Sequence, residues 1–133
     1  MSSKVLIVGN HPVVDDVKRQ YEKNGWTVCQ VDSDSEKIDM EGVDELFLTA
    51  EYCADAYDAG RQKALAADYA AMALLGRLAD GVNLEKRGGK KVRCHLLVNT
   101  VEALRMLQTT DWNDGMRERV DVYPFSMDEV WSR

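Results

Sequence analysis

Hydrophobic and polar positions along the chain switch repeatedly between two periods. Residues 4–8, KVLIV, form a continuous apolar run, as expected of a strand covered on both faces. Val13, Val14, Val17 and Tyr21 then recur at helical spacing over residues 12–23, a one-sided stripe. Pro12 suits the first position of that helix, Asp15 and Asp16 its early turns, and the Asn24-Gly25 pair its end. Residues 26–32, WTVCQVD, read as a second strand, and residues 43–50, VDELFLTA, as another. An alanine-rich helix over about 57–79 follows, its small side chains permitting close approach to a sheet. KVRCHLLV at 91–98 is the fourth clear strand. Asn99 with Glu102 predicts a capped start for the helix VEALRMLQ. VDVYPF at 120–125 is the fifth strand, which Pro124 places at a sheet edge or near its own end.

This alternation predicts a doubly wound α/β domain, a mostly parallel sheet of five or six strands with helices on both faces. Between the second strand and residue 43, SEKIDMEGV leaves room for one very short strand and no helix. No internal repeat or boundary divides residues 1–133, which read as a single domain. Ser126 and Glu129 form a capping box that predicts a helix from about Met127, yet the sequence stops at Arg133. So short a helix is marginal alone, and the expectation is the N-terminal part of a longer protein.

Composition narrows the function classes. With 133 residues, 45% apolar and 30% charged, the chain can bury a real core. A net charge of −6 opposes a nucleic-acid surface, and the one basic cluster, EKRGGKK, contains two glycines and reads as a solvated turn. No apolar run approaches the ~20 residues of a membrane helix, and the N-terminus lacks a signal-peptide pattern. Cys29, Cys53 and Cys94 are odd in number and far apart, so they read as reduced thiols, without the paired spacing of a zinc site. A cytoplasmic setting follows as the expectation.

VLIVG at 5–9, VCQVDSD at 28–34, DELFLTAE at 44–51, AADYAAMALLGRLA at 66–79 and KVRCHLLVNTVEALRMLQ at 91–108 carry a resemblance. With VDVYPFSMDEV at 120–130, they resemble the N-terminal nucleotide-binding subdomain of TrkA-type and RCK regulators of potassium channels and transporters, a Rossmann fold. The resemblance implies that Gly9 opens a phosphate-binding loop with Asn10 and His11. It also implies that Asp32, 23 residues on, takes ribose hydroxyls. The implied ligand is NAD or another adenine nucleotide, and the implied assembly a homodimer within a larger protein carrying further domains.

The chain departs from that pattern at several positions. His11 stands at the second glycine and Val14 at the third, and Asp15 and Asp16 put negative charge where phosphate would approach. Tyr69 lies near an expected asparagine. These departures keep open the alternative that the fold binds no nucleotide.

His11 is either a phosphate or adenine contact at the crevice mouth or an idle, partly exposed loop residue. His95, mid-strand, reads as a core or sheet-face histidine. Asp32 and Asp34 are either ribose ligands or ordinary strand-end acids. No hydrolase, zinc or P-loop motif is present, and a receiver-domain reading meets GNHP where it needs an acidic pair. Trp26, Trp112 and Trp131 read as packing residues. The expectation is thus a non-catalytic regulatory domain of TrkA-N/RCK type, with Gly9, Asn10, His11 and Asp32 as its cofactor-binding residues. A degenerate Rossmann scaffold for protein association is the alternative, and an NAD(P)-dependent oxidoreductase fragment the third.

Overall fold

The computed structural model describes residues 3–35, 37–53, 60–109, 116 and 118–126. Among these, five strands and three helices alternate. The strands are β1 (Lys4–Val8), β2 (Thr27–Val31), β3 (Glu45–Thr49), β4 (Val92–Val98) and β5 (Val120–Ser126). The helices are α1 (Val14–Lys23), α2 (Arg61–Asp80) and α3 (Val101–Leu107). The strands form one sheet in the order β2-β1-β3-β4-β5, every neighbouring pair parallel. The doubly wound α/β expectation therefore holds, with five strands.

Burial follows position in the sheet. Every residue of β3 is buried, and β1 is buried except at Lys4. β2 and β5 lie at the edges and keep partly exposed positions, so Pro124 sits on an edge strand as expected. Alternate side chains feed two cores. Leu6, Val8, Leu46, Leu48, Cys94 and Leu96 pack with Ala71, Leu75 and Leu78 of α2 and with Ala103 and Leu107 of α3. On the opposite face Val5, Ile7 and Phe47 pack with Val14, and Val17, Tyr21 and Trp26 lean on them.

Between β2 and β3 the described residues form neither helix nor strand, so the short strand allowed there is absent. Met40 and Val43 from that connection enter the α2-side core instead. Arg87, from the turn read as solvated, donates to the Val43 carbonyl and pins the connection to the base of β3. The helix expected from Met127, Trp112 and Trp131 lie outside the described residues.

Candidate functional site

The strand order sets where a site can form. From β1 the chain goes out through α1 to β2 on one side, then returns past β1 to β3 on the other. The connections that leave the carboxyl ends of β1 and β3 thus run to opposite sides, leaving the crevice where open α/β sheets bind ligands. A cavity of about 370 Å³ occupies it, lined by Gly9, Asn10, Asp32, Ser33, Asp34, Thr49 and Glu51.

Each wall has a local cause. Gly9 leaves β1 at φ +118°, a conformation that favours glycine, and its N–H donates to the Val31 carbonyl at 2.9 Å. Gln30 Nε2 donates to the Gly9 carbonyl at 3.4 Å, which ties the turn to β2. Ser35 N–H donates to the Asp32 carbonyl at 3.1 Å, folding residues 32–35 into a turn that presents Asp32, Ser33 and Asp34 together. Thr49 and Glu51 come from the end of β3. Three of the seven lining residues are carboxylates and none is basic, so the crevice repels phosphate and offers acceptors to hydroxyl and amino groups.

Of the residues expected to bind a cofactor, Gly9, Asn10 and Asp32 line the cavity, with Asp34 beside them. His11 does not. It is neither a crevice-mouth contact nor a partly exposed loop residue, because only 2% of its surface is accessible. Its Nδ1 accepts from the Val13 N–H at 2.9 Å, and its ring meets Tyr52 edge-on with centroids 5.0 Å apart. The Nε2 atom is buried without a hydrogen-bond partner. Burial pushes the imidazole pKa below its usual value.

The role expected of Gly9 also changes. In a dinucleotide site the first glycine makes the tight turn out of the strand. Here the Thr49 hydroxyl lies 2.0 Å from where a β-carbon on Gly9 would stand. A strand neighbour thus accounts for the glycine, and the Asp32, Asp34 and Glu51 carboxylates of the lining do not fit a pyrophosphate.

The β4 side of the crevice rim is closed by the protein itself. Asp68, fully buried on α2, accepts from the Asn99 N–H (2.7 Å) and Nδ2 (3.1 Å) and from the Thr100 N–H (2.9 Å) and hydroxyl (2.7 Å). Asn99 Nδ2 also donates to the Glu51 carbonyl at 2.7 Å, and its Oδ1 accepts from the Cys53 N–H at 3.2 Å. Thr100, not Asn99, caps α3, its hydroxyl accepting from the Ala103 N–H at 3.2 Å. Burial raises the Asp68 pKa and the four hydrogen bonds oppose that rise. Sequence reasoning missed this carboxylate, whose signal was a charge isolated within an alanine-rich helix. It also missed Ser33, Thr49 and Glu51, which only the strand order brings to the crevice.

A second polar cluster lies on the α1 face. The Tyr21 hydroxyl donates to Glu45, and His95 Nε2 stands 3.6 Å from the same carboxylate. His95 stacks on Tyr123, centroids 5.8 Å apart, and is the sheet-face histidine its position predicts. Burial and the Glu45 carboxylate both push the Tyr21 pKa up. Among the described residues no group of three or more His, Cys, Asp or Glu side chains could hold a metal ion. No helix among them is long and apolar enough to cross a membrane.

No family model matches the chain, and no curated protein matches it. Among solved structures, it is similar to a CheY-like response regulator receiver domain protein from Methanospirillum hungatei JF-1. That match has a TM-score of 0.49 and 13% identity, over 99% of this chain and 90% of that one. The expected TrkA-N/RCK membership is therefore corrected: the neighbour is a receiver domain, not a potassium-transport regulator. The strand order agrees with this correction, being 2-1-3-4-5 rather than the 3-2-1-4-5-6 of dinucleotide-binding sheets. The expected function is corrected with it: potassium-transport regulation is not supported, and neither the degenerate Rossmann scaffold nor the NAD(P)-dependent oxidoreductase fragment is favoured.

Proposed function

We propose that the chain is a non-catalytic ligand-binding domain whose crevice takes a small, phosphate-free molecule through hydroxyl and amino groups. The observation that carries this reading is the lining: Asp32, Ser33, Asp34, Thr49 and Glu51 converge at the switch point with no base among them. Such a wall rewards donors and cationic groups and penalises anions, by charge alone. The absence of catalysis is supported by the β4 end, where Asn99 and Thr100 spend their hydrogen bonds on Asp68. A cytoplasmic setting accompanies the reading, supported by Cys29, Cys53 and Cys94 standing as free thiols.

A thermal-shift panel tests it, with glucosamine and adenosine as phosphate-free probes and ATP and NAD as anionic counterparts. At 100-fold above its dissociation constant a ligand stabilises by about 2.7 kcal/mol, several degrees of Tm for a domain of this size. The expected result is a rise with a phosphate-free probe that is lost in Asp32→Asn and Asp34→Asn. Equal or larger shifts with ATP or NAD, or no shift with any probe, overturn the reading.

A further inference from the structure

The turn that forms one crevice wall is tied to β2 at Gly9 and to the start of α1 by an imidazole. Gly9 and Asn10 line the cavity, and His11 follows them directly. His11 Nδ1 accepts from the N–H of Val13, the residue at the N-cap of α1, which has no side-chain cap of its own. The turn is completed by the Val14 N–H donating to the His11 carbonyl at 2.9 Å. Because Nδ1 accepts, the neutral ring carries its proton on Nε2. That N–H is buried and meets no acceptor, so the closed arrangement already holds an uncompensated polar group.

We infer that His11 is a proton-operated latch on the crevice: neutral, it holds residues 9–13 in place, and protonated, it releases them. A second proton can enter only at Nδ1, the atom that holds Val13, so charging the ring and keeping that hydrogen bond are mutually exclusive. The imidazolium would also bring a charge and a second buried donor into a site that offers an acceptor to neither ring nitrogen.

Titratable groups flank the ring on both sides. Asp15 and Asp16 lie in the first turn of α1, and Glu51 and Tyr52 follow β3, with Tyr52 on the ring itself. Burial lowers the imidazole pKa in the presence of these carboxylates. Regulation of binding by this latch rests on the crevice being a ligand site, whereas the latch itself is read without any ligand.

The test is an NMR pH titration of the ligand-free full chain, following the His11 ring, the Gly9 and Asn10 amides and Val13 hydrogen exchange. The His11 midpoint should fall below the ordinary 6.5. The Gly9 and Asn10 resonances should move with that same midpoint, and Val13 protection should drop about tenfold per pH unit from 6.5 down to it. His11→Asn keeps a side-chain acceptor two residues before the Val13 N–H but cannot titrate, so it should stay closed throughout. A His11 midpoint at or above 6.5, crevice amides that ignore it, or the same transition in His11→Asn overturns the inference. The wild-type titration decides even where the variant does not fold. A failed probe panel leaves the latch standing, and a failed titration leaves the ligand reading standing.

Discussion

The Thr49 hydroxyl occupies the space where Gly9 would carry a side chain, 2.0 Å from the position of the missing β-carbon. The same hydroxyl donates to the Val8 carbonyl at 3.4 Å, so β3 grips the end of β1 at the floor of the crevice. The glycine that opens the chain's most suggestive loop is thus required by a neighbouring strand.

Gly9→Ala should destabilise by about 3 kcal/mol or more, adding overpacking to the strain of a left-handed backbone at a non-glycine residue. Thr49→Ala in the same chain should recover the overpacking share, roughly half, and leave the backbone share. Urea midpoints of both single variants and the double variant measure the coupling. A glycine needed only by a ligand would show no coupling.

Asp68→Ala removes an acceptor of four hydrogen bonds and strands the buried Asn99 and Thr100 donors. The expected cost is about 3–5 kcal/mol. Asp68→Asn should cost less, about 2–3 kcal/mol, because an amide can accept at one end while its NH2 opposes donors at the other. Equilibrium unfolding checks both, and a loss below about 1 kcal/mol for Asp68→Ala would show that water replaces the network.

Tyr21→Phe takes away the one α1 hydroxyl that donates to the buried Glu45. Because the acceptor is a carboxylate, the loss should be about 1.5–3 kcal/mol, read as a drop in Tm. Glu45→Gln with Tyr21→Phe should cost less than the sum of the two single changes.

Stability should fall as pH drops below 6.5, because His11 is held neutral in the fold and charges freely once unfolded. The unfolded state then binds more protons than the folded state, and the loss continues until pH reaches the lowered folded pKa. Asp68 has the opposite sign: its raised pKa relieves a burial penalty as pH falls through the folded value towards 3.8. His11→Asn should flatten the stability curve just below 6.5 and leave the Asp68 contribution in place. Unfolding midpoints between pH 4 and 8 check this prediction.

Local pattern carried the elements, because a strand's period of two and a helix's 3.6 are written in neighbouring residues. The apolar run 4–8, the Val13-to-Tyr21 stripe and the alanine-rich segment each became the element expected of them, with ends shifted by a residue or a few. The doubly wound class followed from their alternation alone. Asp32, which lines the crevice, was visible locally as an acid at the end of a strand, while the ribose role came only from the resemblance.

What the tertiary structure alone decided was neighbourhood. Strand order is set by which apolar faces cover one another, and it separated the 2-1-3-4-5 sheet from the dinucleotide-binding arrangement. Thr49 reaches Gly9, and Asp68 reaches Thr100 across 32 positions, through side-chain contacts that no local period encodes. His11 looked like a crevice residue because it follows Gly9, and packing against Tyr52 buried it instead. Periodicity tells which face of an element is apolar, but only the packed fold tells what that face, or a polar residue beside it, meets.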